Sequence, residues 1–151
     1  GGTVCLVDEQ DYIYRSGEPP SKGFTAPVFD PTRRPLTPWS ELFVGDPVRL
    51  FRFSALTANP HRIHYDRPYA QEVEGYPDIV VHGPLLALLM SDLVREHSSG
   101  VIRSVEFRLR RPVFRGERMW VTGEPGASSV STTVRSHAED IRAEATFTVA
   151  E

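Results

Sequence analysis

Val80-Val81-His82-Gly83-Pro84-Leu85-Leu86-Ala87-Leu88-Leu89-Met90 is the stretch on which the architecture turns. Proline suits the first position of a helix, where its missing N–H would have had no partner. The pattern therefore predicts a helix over 84–97. From Leu85 to Met90 the residues are apolar on every side, and a helix without a polar face has to be buried all round. Polarity returns at Ser91, Asp92, Arg95 and Glu96. Ser98-Ser99-Gly100 then predicts the end, with Gly100 free to adopt a left-handed cap.

The chain on either side supplies what could cover such a helix. Downstream, Val105, Phe107 and Leu109 alternate with Ser104, Glu106, Arg108 and Arg110, a period of two with one buried face. Further strands are predicted over 118–122 and 130–135, the first entered through the turn Arg115-Gly116-Glu117. A last one holds Ala143, Ala145, Phe147 and Val149 in alternation. Upstream, Val48 to Phe53 reads as a strand bounded by Gly45-Asp46-Pro47. Residues 57–68 read as a polar turn or short helical excursion, residues 69–72 as one helical turn, Gly75-Tyr-Pro-Asp as a turn, and Ile79-Val-Val as a short extended piece. The fold class is α+β: a curved antiparallel sheet wrapped around one long buried central helix, because a sheet supplies the apolar face that the helix requires.

A chain of 151 residues fits one domain, and a hydrophobic fraction of 40% supports a packed core. The net charge of −3 lacks the basic footprint of a nucleic-acid protein. No run of apolar residues is long enough to span a membrane. A single cysteine, Cys5, excludes an internal disulfide framework and reads as a small apolar residue in a peripheral strand. No signal peptide is visible, which makes the cytoplasm the expected compartment. Six prolines (19, 20, 27, 31, 35 and 38) lie in the stretch 16–38, which forbids a helix interior or central strand. The expected division is 1–38, a strand remnant at 3–6 and 12–14 with a proline-rich linker or wrap, and 39–151, the unit that holds the central helix and its sheet.

Two segments carry candidate chemistry. Phe53-Ser-Ala-Leu-Thr-Ala-Asn59-Pro-His61-Arg-Ile-His64-Tyr-Asp66 clusters imidazoles and a carboxylate in a polar turn. His64 titrates near working pH and suits general acid/base chemistry, with a surface or capping role as the alternative. Asn59 could orient a water or a substrate hydroxyl, and Asp66 could order the turn. In the second segment, His82-Gly83-Pro84, the N–H groups at a helix N-terminus lack partners and the helix dipole adds positive character. Pro84 has no N–H, so Gly83 is the natural donor to a developing enolate oxygen. His82 is either structural or a substrate contact. His61-x-x-His64-x-Asp66 is a less favoured metal reading, since the helical His-Glu-x-x-His motif is absent. Arg108 and Arg110, with Arg111 and Arg115, are either a solvated sheet face or a dock for nucleotide phosphates or an acidic carrier.

These segments resemble the active-site motifs of the MaoC-like, hotdog-fold hydratases and dehydratases. The likeness is strongest to the subgroup of type-2 hydroxyacyl-thioester dehydratases and mesaconyl-CoA hydratases. It is carried by Phe53 to Asp66 and by Gly75-Tyr-Pro with Val81-His-Gly-Pro-Leu-Leu86, and it covers roughly 39–151. The resemblance implies a hydro-lyase acting on 3-hydroxyacyl and 2-enoyl thioesters of CoA or acyl carrier protein. His64 would be the acid/base and Gly83 N–H the oxyanion donor. Substrate contacts would come from His82, Pro84, Arg108 and Arg110. Neither a cofactor nor a metal is implied. Asn59 stands where the wider family usually has Asp, which leaves His64 as the proton-moving group. A hotdog thioesterase, or a non-catalytic acyl-thioester-binding or scaffolding domain, are the alternatives. Asp8-Glu-Gln-Asp-Tyr-Ile-Tyr-Arg15 resembles the junction that follows a first, non-catalytic hotdog in double-hotdog members. This implies a homodimer, or a pseudo-dimer with another hotdog half.

Overall fold

The computed structural model describes residues 2–12, 32, 37–137 and 140–150. Eight regular elements of strand and α-helix occur among them: β1 (Trp39–Val44), α1 (Pro47–Leu56), α2 (Arg67–Glu72), α3 (Gly83–His97), β2 (Val101–Leu109), β3 (Arg118–Pro125), β4 (Ser129–Arg135) and β5 (Ile141–Ala150). The strands form one antiparallel sheet in the order β1-β3-β4-β5-β2. Helix α3 touches all five strands. The sheet wrapped around a central helix, expected from the sequence, is what the chain forms.

The face of α3 on the sheet carries Leu86, Met90, Leu93 and Val94, each at most 1% exposed. They recur at helical spacing and meet Val121, Val134, Ala143, Ala145 and Phe147 from the strands. The helix is not buried all round, however. Leu88, on its far side, is 52% exposed. Nor does Gly100 cap it in a left-handed conformation: Ser98 closes the helix with extended backbone, and Gly100 is not among the positive-φ glycines. Glycine is needed there for closeness instead, because a Cβ would sit 2.3 Å from Val149 Cγ1 and 2.8 Å from the Ala150 carbonyl oxygen.

Residues 48–53, expected as a strand, lie inside helix α1. Asp46 caps this helix, its Oδ1 accepting from the N–H groups of Val48 and Arg49 at 3.0 Å each. Pro47 takes the first turn, where it is preorganised. Leu50 and Ser54 are buried, with half-buried Phe53 packed on the core. That spacing is helical, and it leaves Val48 and Phe51 exposed. The sheet instead gains β1, a strand the sequence reading did not anticipate. The extended pieces expected in the amino-terminal part divide in two. Residues 3–6 form no strand, and Cys5 is an exposed free thiol rather than a packed one. The piece at 12–14 and nearly all of 16–38 lie outside the described residues.

A buried ionic cluster fixes the loop before β3. The Arg142 guanidinium donates Nε–H to Asp140 (2.8 and 2.9 Å) and Nη1–H to the Pro112 carbonyl (2.5 Å), with Glu117 at 3.7 Å. Ser136 donates to Asp140 at 2.6 Å, and Glu117 accepts from the Phe114 N–H at 2.8 Å. Arg115 in turn grips Asp78 through two hydrogen bonds of 3.0 Å. The segment leading to α3 is thereby tied to the sheet: Val80 bridges Phe114, and the Val81 N–H donates to the Val113 carbonyl at 2.8 Å.

Candidate active site

The two motifs meet through backbone. Residues Arg62–His64 form a single 3-10 turn, and the Val80 N–H donates to the Ile63 carbonyl at 2.8 Å. The Val80 carbonyl accepts from Nδ1 of His64, also at 2.8 Å. A carbonyl can only accept, so Nδ1 carries the proton and Nε2 of the neutral ring is bare. That bare nitrogen is the basic atom. The ring is almost buried, at 9% exposure. Burial pushes its pKa below the usual histidine range, and nearby His61 pushes the same way; the bond to Val80 opposes them.

His82 precedes the helix in extended conformation, φ −62° and ψ 133°, and is fully buried. Its ring stacks on that of His64 with centroids 3.8 Å apart and an interplanar angle of 18°. Phe53 meets its edge at 4.8 Å. Burial, and secondarily the proximity of His64, lowers its pKa to about 4. At neutral pH the pair is uncharged. Nε2 of His82 lies 2.8 Å from Oγ of Ser54, a buried residue on the inner face of α1.

Gly83 is the first residue of α3, at the position where an N–H has no partner within the helix. A Cβ here would lie 2.5 Å from Cδ1 of Leu109, so the absence of a side chain lets β2 pack over the helix mouth. Pro84 follows, exposed. Asn59 holds the turn: its Oδ1 accepts from the His61 N–H at 3.0 Å, and its own N–H donates to the Ser54 carbonyl at 2.9 Å. Asn59 and Ser54 also line an open groove of about 290 Å³ with Phe51, Ala55, Pro60 and Tyr65.

The structure thus gathers His64, His82 and Gly83, with Asn59 at the edge. Asp66 caps α2 and pairs with Arg62 at 2.6 Å, an ordering role for the turn. Arg108 on β2 and Arg110 just past its end are exposed, flanking Leu109; alternation turns them to the face opposite the one Leu109 presents to Gly83, and Arg110 pairs with Glu144. Ser54 escaped the sequence reading as a site residue. Its signal was the capped start at Asp46-Pro47, which sets a helix and puts Ser54 one turn beyond Leu50 on the inner face. Among the described residues, no group of three or more His, Cys, Asp and Glu side chains could hold a metal ion.

A single helix cradled by five antiparallel strands, with a histidine turn held against its amino-terminal end, defines a protein of the hotdog fold. The chain belongs to the hydroxyacyl-thioester dehydratase type 2 family, whose family model matches residues 1–115. It is 44% identical over 144 residues to the mesaconyl-C(4)-CoA hydratase of Chloroflexus aurantiacus, covering 87% of this chain and 50% of that one. It is 40% identical over 78 residues to the mitochondrial type 2 hydroxyacyl-thioester dehydratase of Schizosaccharomyces pombe, covering 50% and 26%. The MaoC-like dehydratase of Phytophthora capsici shares its fold with a TM-score of 0.66 at 18% identity, over 86% of this chain and 46% of that one. The chain spans half the length or less of each of these three proteins. Among the described residues no helix is long and apolar enough to cross a membrane.

Proposed function

We propose that this chain provides the catalytic half of a hydro-lyase that interconverts 3-hydroxyacyl and 2-enoyl thioesters of CoA or acyl carrier protein. Residues 39–151 make up the catalytic unit, and 1–38 the wrap or linker to a second hotdog. The observation that carries the reading is the His64 imidazole, proton fixed on Nδ1 by Val80 and stacked on His82, the residue that precedes the helix-opening amide of Gly83.

The chemistry follows from these atoms. The thioester carbonyl accepts from the Gly83 N–H, which stabilises negative charge on that oxygen and acidifies the neighbouring C–H. Nε2 of His64 takes the α-proton. The electrons form the double bond as the β-carbon–oxygen bond breaks, and the imidazolium returns its proton to the departing hydroxyl, which leaves as water. Hydration runs the same steps backwards. Asn59, its Oδ1 held by the turn, offers its amide N–H to the water or hydroxyl. Arg108 and Arg110 dock the carrier's phosphates or acidic surface, and Pro84 flanks the acyl group; His82, expected from the sequence as a substrate contact, is fully buried and backs the His64 ring instead.

Replacement His64→Ala tests this in a crotonyl-CoA hydration assay followed by loss of enoyl absorbance. The expected fall is about 10²–10⁴-fold, the span of general acid/base catalysis. Activity kept within about tenfold removes His64 from the role. Asn59, where a second carboxylate would give a two-base scheme, is the feature that favours an acyl-thioester-binding domain without turnover. Tight binding of acyl-CoA by a chain that shows no hydration and releases no free thiol would establish that reading instead.

A further inference from the structure

Ser54 and His82 are buried and face each other across 2.8 Å, yet the proposed reaction assigns no task to the serine. Proton counting decides which of the two donates. Oγ of Ser54 forms its hydrogen bond with Nε2 of His82, and Nδ1 of His82 is buried with no partner among the described residues. If His82 donated from Nε2, the serine proton and the bare Nδ1 would both be left unsatisfied. If Ser54 donates, only the Nδ1–H remains without an acceptor. Buried polar groups left unpaired are costly, so the second arrangement is the stable one.

We propose that Ser54 is a positioning residue: its hydroxyl donates to Nε2 of His82, fixes that ring's proton on Nδ1, and holds the imidazole flat against His64. The inference rests on the reading of His64 as the proton-moving base. Its consequence for that base is electrostatic and steric. His64 carries a positive charge each time it takes the α-proton. A second cation stacked at 3.8 Å in a dry site would oppose this, whereas a pinned neutral ring does not. The neutral state of His82 agrees with its burial and its depressed pKa. A pinned ring also limits how far His64 can tilt away from its bond to Val80. The only other titratable ring in contact with His64 among the described residues is His61, which meets it edge-on at 5.8 Å.

The variant Ser54→Ala removes the donor at a helical position where alanine is the best helix former, so the fold is retained. Isotope-edited NMR of the imidazoles in the full chain reads the tautomer directly. The wild type is expected to show His82 protonated on Nδ1 and bare on Nε2. Ser54→Ala is expected to give a mixture of tautomers and to lower kcat for crotonyl-CoA hydration about three- to tenfold with KM unchanged, the effect of one lost neutral hydrogen bond. Ser54→Thr, which keeps the hydroxyl, is expected to restore the wild-type imidazole spectrum and most of kcat. A wild-type His82 protonated on Nε2, or a Ser54→Ala spectrum identical to wild type, overturns the assignment. The spectrum decides the positioning role without turnover, whereas His64→Ala decides the reading of the base, so the failure of one is distinguishable from the failure of the other.

Discussion

Stacked imidazoles of His64 and His82 set how the fold responds to acid. His82 ordinarily titrates near 6.5 but does so at about 4 in the folded chain. Above pH 6.5 the ring is neutral whether the chain is folded or unfolded, and its contribution to stability is fully present. Between 6.5 and 4 the unfolded chain binds the proton first, so stability falls with pH. The shift corresponds to roughly 3 kcal/mol lost by the time pH reaches 4. His64, whose pKa is also lowered, adds to the loss with the same sign. Urea unfolding of the wild type across this window should show the decline, and His82→Gln, which cannot titrate, should flatten it. An equal slope in both proteins would show that His82 does not titrate as its burial dictates. At this scale the candidate residues were legible as candidates, because His64, Asn59 and Gly83 stand in motifs whose residue types suit the proposed chemistry. What spacing could not reveal was the face-to-face contact of the two rings. It depends on Val80 clamping the turn from a distance of 16 positions.

Single elements were legible where periodicity was unopposed and obscure where a cap decided the outcome. Alternation in 143–149 placed Ala143, Ala145 and Phe147 in the core as expected. The same alternation put Arg142 with the outward residues, yet Arg142 is 5% exposed, since the loop 110–117 folds over that face of β5 and supplies it with Glu117 and the Pro112 carbonyl. Residues 48–53 carry apolar side chains compatible with either period, and only the capping carboxylate of Asp46 settles them as helix. Helix α3 was the clearest element, and its inner face bears the greatest energetic weight. Met90 is completely buried among strand residues. Met90→Ala leaves a cavity between helix and sheet, with an expected loss of about 2–5 kcal/mol in denaturant-unfolding stability. A loss under about 1 kcal/mol would mean the sheet collapses onto the gap and the packing is looser than described.

For the molecule as a whole, the sheet ends too soon for its own apolar surface. Among the described residues strand β2 is an edge: it pairs with β5 on one side only. Val105 and Leu109 stand opposite Phe147 and Ala143 in the register, hence on the helix-bearing face, yet they are 43% and 53% exposed. Val101, nearer the start of the strand, is 56% exposed. The period-two pattern in 103–110 therefore identified the correct apolar face without indicating that nothing among the described residues covers it. Leu88, on the open side of α3, is likewise uncovered. Edge strands that remain alone are blunted by inward charges, prolines or bulges. The stretch Val105–Leu109 has none of these on its apolar face, and its one irregularity lies earlier, between Ile102 and Ser104. The expected occupant is a second hotdog unit, another copy of this chain or the other half of a longer protein, continuing the sheet across β2. Sedimentation equilibrium tests this on the chain alone: a dimer is expected, and Val105→Lys, which places a charge where the sheet would continue, should weaken association at least tenfold while leaving the far-ultraviolet circular dichroism unchanged. A wild-type chain that stays monomeric at high micromolar concentration, with β2 amides exchanging as freely as an exposed edge would, rules out self-pairing. If adding the other hotdog half does not protect those amides either, the edge is closed by something other than a second sheet.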